Sequence, residues 1–180
     1  MTQEKKVYTA VIGTPLGKIQ AAAQNDALTG LWFVGQKYFP KDAESWLNEP
    51  DYPPFASLKD WLEAYFSRER PKIEIPLAPH GTDFQRAVWK LLLEIPLGKT
   101  TTYGAIAQRL SPTGKKASAQ AVGGAVGHNP ISLLIPCHRV LGADGSLTGY
   151  AGGLDKKRAL LELEGAIPGF LQGVLHQPDL

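Results

Sequence analysis

The first third of the chain alternates short apolar runs with turn residues, a pattern that predicts β-strands joined by tight turns. The candidate strands cover residues 6–12, 18–23 and 28–34. Asn25-Asp26 separates the second strand from the third, and a segment with a glycine at each end and a proline between them, residues 13–17, separates the first two. We therefore expect a small antiparallel sheet at the start of the chain.

Apolar residues then recur at helical spacing after Ser57, which fits an N-cap. The predicted buried face holds Leu58, Trp61, Leu62, Tyr65 and Phe66. Residues 71–79 carry three prolines and are followed by a His-Gly pair, which is typical of an extended connector. This composition predicts an N-terminal α+β domain at residues 1–79 and a second domain at residues 80–180.

The second half of the chain opens with a well-marked amphipathic helix. Thr82 and Gln85 fit a capping box at its start, and the Pro-Leu-Gly sequence at residues 96–98 stops it. The predicted buried stripe consists of Phe84, Val88, Leu91, Leu92 and Ile95.

Two shorter helices follow, at residues 103–110 with Thr102 as N-cap and at residues 118–126, and residues 111–114 break the chain between them. This pair fits a helix-turn-helix. The second helix is rich in small residues: Ala119, Ala121, Gly123, Gly124 and Ala125. Each glycine inside a helix costs about 1 kcal/mol relative to alanine, so something should compensate. Close approach of DNA and tight packing against a neighbouring helix are both open explanations.

Charge is unevenly distributed, although the 180-residue chain carries a net charge of only +2. Residues 99–158 hold eight basic and two acidic residues, a net +6, which leaves −4 for the remainder. A polyanion partner would explain this segment, while on charge alone an ordinary solvated face is the favoured interpretation. No apolar run approaches the ~20 residues of a membrane span and no signal-peptide pattern opens the chain, so we expect a cytoplasmic protein without membrane contact.

The chain has a single cysteine, Cys137, which excludes an internal disulfide and a thiolate metal cluster. The four histidines show no ligand spacing, so no metal is expected. A lone cysteine in an apolar run is usually a small core residue. Here Pro136 precedes it and His138-Arg139 follows, and cationic or proton-accepting neighbours lower the pKa of a thiol. Cys137 is therefore a candidate nucleophile. The carboxylates available downstream of Asp155 to orient the histidine are Glu162, Glu164 and Asp179.

The Pro-Cys-His-Arg-Val motif at residues 136–140 resembles the active site of the O6-alkylguanine-DNA alkyltransferases, also called methylated-DNA–protein-cysteine methyltransferases. The resemblance runs from about residue 82 to residue 165. It includes Thr102-Tyr103, Ala-Val-Gly-Gly-Ala at 121–125, Asn129-Pro130, Thr-Gly-Tyr-Ala-Gly-Gly at 148–153 and Leu-Glu-Gly at 163–165. It implies an α+β fold, with an RNase H-like N-terminal antiparallel sheet and helix before a mostly helical, winged-helix/helix-turn-helix C-terminal domain.

The resemblance also implies an activity. Such a protein repairs duplex DNA by moving the alkyl group of O6-alkylguanine, and of O4-alkylthymine, irreversibly to its own cysteine in one turnover. The damaged base is flipped out through the minor groove, because a stacked duplex hides the target atom. No cofactor is needed, since the lesion carries the transferred group. The expected partner is double-stranded DNA containing O6-alkylguanine, bound by a monomer.

Roles in this activity follow from the resemblance residue by residue. Cys137 would accept the alkyl group, His138 would take the thiol proton through a water, and Glu164 would orient His138. Asn129 would brace the active-site turn, and Tyr103 would disturb the DNA backbone and hydrogen-bond or protonate the leaving guanine. The substrate-binding set is Tyr103, Val140, Tyr150, Ala151 and Lys157, the last near the lid of the site. The DNA-binding set is Thr102, Tyr103, Ser118, Ala119, Gln120, Ala121 and Gly123.

Two positions depart from the family pattern. Gln120 stands where an arginine usually inserts into the base stack, two residues before the Val-Gly-Gly triplet, and we expect this shorter, uncharged side chain to weaken base extrusion and DNA binding. Ala151 stands where some members have serine, which removes one hydrogen bond to the alkylated oxygen.

Three other functions compete with repair. A protein that only flags alkylated bases would lack the cysteine, which is present here. A cysteine hydrolase would need an oxyanion-hole signature, which the sequence does not show. A helix-turn-helix transcription regulator would need long polar side chains for major-groove contacts, and this helix offers only Gln120.

Overall fold

The N-terminal sheet has four strands in the order β3-β2-β1-β4. In the computed structural model, which describes residues 6–111 and 117–168, the strands β1 (Tyr8–Thr14), β2 (Gly17–Gln24) and β3 (Ala27–Phe33) pair antiparallel, as predicted. The two-residue strand β4 (Leu47–Asn48) pairs parallel to β1, so the expectation of a purely antiparallel sheet is wrong at this edge. The chain crosses from β3 to the opposite edge of the sheet, where β4 runs in the same direction as β1.

Helix α1 (Pro53–Phe66) begins four residues before the predicted start at Ser57, which is not its N-cap. Tyr52 occupies the N-cap position, and Pro53 and Pro54 fill the first turn, where the missing proline N–H and the fixed φ cost nothing. The helix buries most of the predicted face, while Phe66 is only partly buried. The buried residues are Pro54, Phe55, Leu58, Trp61, Leu62 and Tyr65.

Helix α2 (Asp83–Leu92) starts with the predicted capping box of Thr82 and Gln85. Its buried face is centred on Val88, Trp89 and Leu92, so Val88 and Leu92 are buried as predicted, whereas Phe84 is 38% exposed. At 100° per residue, Phe84 lies roughly 90° around the helix axis from that centre. The Trp89 indole, which the prediction omitted, donates from Nε1 to the Ala125 carbonyl oxygen at 2.8 Å and so ties α2 to the glycine-containing helix.

Helices α3 (Tyr103–Leu110) and α4 (Ala119–Gly127) are the two helices of the predicted helix-turn-helix. Each starts at a side-chain cap: Thr102 Oγ1 accepts from the Ala105 N–H, and Ser118 Oγ accepts from the Ala121 N–H. The predicted break begins at Ser111, and its remaining residues lie outside the described part of the chain. The other elements of this half are β5 (Thr101–Thr102), the 3-10 turn Cys137–Arg139, β6 (Val140–Leu141), which pairs parallel to β5, and helix α5 (Leu154–Leu163).

Strand β3 joins the two halves of the molecule. Leu28 exchanges backbone hydrogen bonds with the connector, at Pro76 and Ala78 (2.8 and 2.7 Å). Three residues further along, Leu31 does the same with Pro130 and Ser132 (2.8 and 2.9 Å), in the loop that precedes Cys137. The sheet thus buttresses the loop that carries the cysteine. No helix in residues 6–111 and 117–168 is long and apolar enough to span a membrane.

Candidate active site

The backbone around Cys137 is held by Asn129. Its Nδ2 donates to the Ile135 carbonyl oxygen at 2.8 Å, and its Oδ1 accepts from the Ile131 N–H at 3.0 Å. Between them, the buried Leu133 has φ of 69°, a left-handed conformation that costs a non-glycine residue on the order of 1 kcal/mol. The Asn129 side chain is buried and closes this strained loop on both sides. These hydrogen bonds are the contacts that a bracing role for Asn129 requires.

His138 and Glu164 form a buried pair next to the cysteine. The His138 Nε2 atom lies 2.7 Å from Glu164 Oε1, and both side chains are within 1% of full burial. Arg139 donates to the same carboxylate twice, from Nε to Oε2 at 2.8 Å and from Nη2 to Oε1 at 2.9 Å. Tyr65 donates its hydroxyl to Oε1 at 2.8 Å. Of the three downstream carboxylates considered from the sequence, Glu164 is the one placed beside His138, and Asp179 lies outside the described residues.

In the protonation states of this pair, one imidazole nitrogen of His138 is free to act as a base. Burial lowers the pKa of His138, and the neighbouring Glu164 offsets this only in part, so the imidazole is neutral at pH 7. Burial alone would raise the pKa of Glu164, but His138 and Arg139 bring it down to about 2. Because an ionised carboxylate can only accept, the imidazole proton must be on Nε2. The Nδ1 atom therefore carries the lone pair, and it is buried without a hydrogen-bond partner among the described residues.

Cys137 is a thiol at rest. Burial raises the pKa of its Sγ, which outweighs the lowering by the Asn129 side chain, the Lys157 charge and the local backbone N–H groups. The expectation that His138 and Arg139 lower the pKa of this thiol is therefore wrong. The His138 ring is neutral, and the Arg139 guanidinium is turned away to Glu164 and to the Ile95 carbonyl oxygen at 2.6 Å. A reaction at Sγ consequently needs a base at the moment the thiol reacts.

Cys137 lies in the wall of a cavity of about 290 Å³. Three of the expected substrate-binding residues, Tyr103, Tyr150 and Ala151, line it as well. The Tyr103 hydroxyl donates to the Thr148 carbonyl oxygen at 2.9 Å, which links α3 to the 148–151 loop on the other side of the cavity. The cavity thus gathers residues from three separate parts of the sequence around one thiol.

Lys157 and Val140, also expected to bind substrate, do not line this cavity. Val140 is fully buried, and the Lys157 Nζ donates to three carbonyl oxygens: Val140 at 2.6 Å, Thr148 at 3.0 Å and Gly149 at 3.1 Å. An ammonium group has three donors, so all are used. Burial lowers the pKa of Lys157 to about 8. The lysine therefore fixes the 148–151 loop from behind and has no donor left for a ligand.

Helix α4 presents its small residues to solvent at the mouth of the cavity. Ser118, Ala119, Gln120 and Ala121 are all exposed. A Cβ added at Gly124 would meet no atom within 4 Å, and one at Gly123 would meet only the Tyr103 ring, at 3.8 Å. Packing against a neighbouring helix therefore does not explain the two glycines. Close approach of DNA, the other explanation left open by the sequence, stays a prediction.

The basic segment at residues 99–158 exposes less positive charge than its net charge indicates. Two of its eight cations, Arg139 and Lys157, are buried, and Arg109 is paired with Glu94 at 2.5 Å. Lys115 and Lys116, two more of the eight, lie outside the described residues. Net charge over residues 99–158 therefore overstates the exposed positive charge of this region.

Sequence analysis missed the part of the N-terminal half in the site, which contributes three residues. Lys37 and Tyr38 line the cavity, and the Tyr38 ring stacks on His128 at the end of α4, with ring centroids 4.0 Å apart. The Lys37 N–H donates to the Ala151 carbonyl oxygen at 3.1 Å. The third residue is Tyr65, at Glu164. The turn-rich 34–40 segment carries no local signal for such a contact, whereas the aromatic run of α1 marked Tyr65 as buried but not as a hydrogen-bond donor.

Among the described residues, no group of three or more His, Cys, Asp and Glu side chains could hold a metal ion.

Comparison with known proteins identifies the family of the chain. Residues 7–79 match the ribonuclease-like domain of 6-O-methylguanine DNA methyltransferase, and residues 83–166 match its DNA-binding domain. A methylated-DNA–protein-cysteine methyltransferase of Mycobacterium tuberculosis is 46% identical over 158 residues, which is 88% of this chain and 92% of that protein. The corresponding protein of Methanosarcina acetivorans is 42% identical over 160 residues, 89% of this chain and 99% of that one.

A solved structure agrees with these matches. The crystal structure of Mycobacterium tuberculosis OGT in complex with DNA superposes with a TM-score of 0.79 at 43% identity, covering 88% of this chain and 93% of that one. Both family domains, relatives covered over most of their length and a solved structure thus point to one family. The chain belongs to the 6-O-methylguanine DNA methyltransferase family.

Proposed function

We propose that the protein repairs alkylated duplex DNA by transferring the alkyl group of O6-alkylguanine, and of O4-alkylthymine, to Cys137. The observation that carries this proposal is the free Nδ1 of a neutral, carboxylate-oriented His138 beside a thiol in the wall of a cavity. That cavity opens next to helix α4, whose exposed residues at 118–121 are mostly small. The relatives named methylated-DNA–protein-cysteine methyltransferases and the DNA complex of the Mycobacterium tuberculosis protein support the same chemistry.

The reaction is an in-line displacement. As Sγ attacks the alkyl carbon, the thiol proton passes to His138, and Glu164 stabilises the imidazolium that forms. The bond between the alkyl carbon and O6 breaks with its electron pair remaining on the guanine, which leaves after protonation. In this proposal the Tyr103 hydroxyl exchanges its hydrogen bond to the Thr148 carbonyl oxygen for one to the departing base. The product is a thioether.

This chemistry limits each chain to one turnover. The alkyl group of a thioether is not released unless a second nucleophile attacks its carbon. Cys137 is the one cysteine of the sequence, so no second thiol is available for this step. Protein acting as a monomer on O6-methylguanine duplex in excess should take up one methyl group per chain and then stop. The test is to count labelled methyl groups transferred per chain, with Cys137→Ser as the control. Removal of more than one methyl group from the DNA per chain, or methyl transfer to Cys137→Ser, would rule the proposal out.

A further inference from the structure

We propose that Tyr65, in helix α1 of the ribonuclease-like domain, is a positioning residue for alkyl transfer, because its hydroxyl fixes the carboxylate that orients His138. This inference rests on the proposed function of Cys137, His138 and Glu164. It assigns to the N-terminal domain a direct part in the chemistry that takes place in the other domain.

The contact joins residues 99 positions apart in the sequence. The Tyr65 hydroxyl donates to Glu164 Oε1 at 2.8 Å, the same oxygen that faces His138 Nε2 at 2.7 Å. Arg139 also donates to this oxygen from Nη2, and it donates to Oε2 from Nε. With its side chain 1% exposed, Glu164 relies on protein groups to solvate its charge. Within the described chain, Tyr65 is the donor to this carboxylate that comes from the ribonuclease-like domain.

The ring of Tyr65 is held so that its hydroxyl has one direction available. It stacks on Trp61 with centroids 4.9 Å apart and planes 12° apart, and Phe66 packs against it edge-on at 5.2 Å. Burial, followed by the charge of Glu164, raises the pKa of Tyr65 well above its usual value, so the hydroxyl keeps its proton and remains a donor. A rigid phenol of this kind fixes one carboxylate oxygen in space, and His138 takes its orientation from that oxygen.

Sharing Oε1 has a second consequence. A donor on this oxygen withdraws part of its negative charge from His138, so the imidazolium is stabilised less and the imidazole stays neutral to lower pH. Removing the Tyr65 hydroxyl should make Glu164 a stronger partner for a charged His138. The other titratable groups facing the pair are Arg139, Lys157, Tyr150 and Cys137, and all of them stay in place.

The test is the single-turnover rate of methyl transfer at saturating O6-methylguanine duplex, measured against pH for Tyr65→Phe. We expect a net rate loss of roughly tenfold at neutral pH, the scale of one hydrogen bond to a charged group, because the lost orientation of His138 outweighs its greater basicity. We also expect the acid limb of the profile to move to higher pH, with duplex affinity unchanged. Tyr52→Phe is the matched control, since it removes a phenol from the same domain whose hydroxyl donates to Asp26 at 2.8 Å instead.

The outcomes separate this inference from the proposed function. Failure of the unmodified protein to methylate Cys137 would remove the proposed function itself. If the unmodified protein reacts but Tyr65→Phe has the same rate and the same acid limb, the positioning role is overturned. A rate loss that Tyr52→Phe reproduces, or one without a moved limb, assigns Tyr65 to packing alone and also overturns it. Titration of the His138 ring by NMR in a folded Tyr65→Phe provides the independent check, with a raised pKa expected.

Discussion

His138 Nε2 and Glu164 Oε1 lie 2.7 Å apart with both side chains buried, and this contact decides which imidazole nitrogen is free to accept a proton. Because Glu164 is ionised, the imidazole keeps its proton on Nε2 and leaves Nδ1 to act as the base. Replacing the carboxylate by an amide removes both the orientation and the stabilisation of the imidazolium. The His138–Glu164 pair is therefore the basis of the first prediction.

Glu164→Gln should slow methyl transfer on the order of 100-fold, the low end of what a positioned base contributes. The measurement is single-turnover methyl transfer from a duplex with one O6-methylguanine. Glu162→Gln is the matched control, since this neighbouring carboxyl is buried but makes no contact with His138 among the described residues. Equal rates for Glu164→Gln and the unmodified protein would remove Glu164 from the mechanism.

The low pKa of Glu164 also predicts how stability depends on pH. The pKa is about 2 in the folded protein against 4.5 for the ordinary carboxyl, so the folded state binds this proton less readily than the unfolded state does. Its contribution, about 3 kcal/mol, is therefore fully present above about pH 4.5 and is lost as the pH falls toward 2. Urea unfolding between pH 7 and pH 3 should show this decline in the free energy of unfolding, with a shallower one for Glu164→Gln. Parallel declines in the two proteins would contradict the assignment.

Lys157→Met should destabilise the 148–151 loop. The substitution removes one buried and two partly buried hydrogen bonds to carbonyl oxygens, each worth about 1 kcal/mol, so we expect a loss of about 2–4 kcal/mol in the free energy of unfolding. Lys156→Met is the control, because that ammonium lies over the Phe33 ring at 5.4 Å and should cost less than about 1 kcal/mol. Chemical unfolding of both variants provides the comparison. Equal losses in the free energy of unfolding would show that Lys157 contributes no more to stability than Lys156.

Tyr38→Ala should widen the range of alkyl groups that the protein accepts. The Tyr38 ring lies in the wall of the cavity, held on His128 at 4.0 Å with the Lys37 ammonium 4.9 Å from its centre. Without the ring, the ratio of benzyl to methyl transfer rates should rise roughly tenfold, the scale of pocket-size discrimination. Tyr38→Phe keeps the ring and should leave the ratio unchanged. A ratio that does not change in Tyr38→Ala would show that this wall does not limit the substrate.

Gln120→Arg should increase both duplex affinity and repair rate. Gln120 is exposed on α4, and an arginine there adds one cation able to reach the phosphates or the base stack. The slope of log affinity against log salt should steepen by about 1. Asn48→Arg, on the exposed edge strand β4, adds the same charge elsewhere and should change neither quantity. No gain in affinity or rate for Gln120→Arg would contradict the expectation that glutamine weakens base extrusion.

Local signals in the sequence predicted the parts of this structure that depend on neighbouring residues. Thr82 and Thr102 cap their helices as expected, because capping is decided within three residues. Ser118, predicted as the first residue of its helix, is its N-cap. The predicted start of α1 at Ser57 is too late, because the Pro53-Pro54 pair fits the first helical turn.

Contacts between distant segments could not be predicted in the same way. The Tyr65–Glu164 hydrogen bond and the Tyr38–His128 stack depend on how the sheet docks on the helical half, which no local pattern encodes. Burial also changed the expected chemistry at two cations. Arg139 and Lys157 count as positive charges in the sequence, yet in the fold they solvate buried oxygens.

Mapping the site of methylation tests the central claim most directly. The protein is incubated with a duplex that contains a single O6-methylguanine, and its peptides are then analysed by tandem mass spectrometry. The account predicts one added methyl group per chain, on Cys137, and no modified peptide from Cys137→Ala treated in the same way. Tight binding to the duplex with Cys137 unmodified, or a methyl group on any other residue, would contradict it.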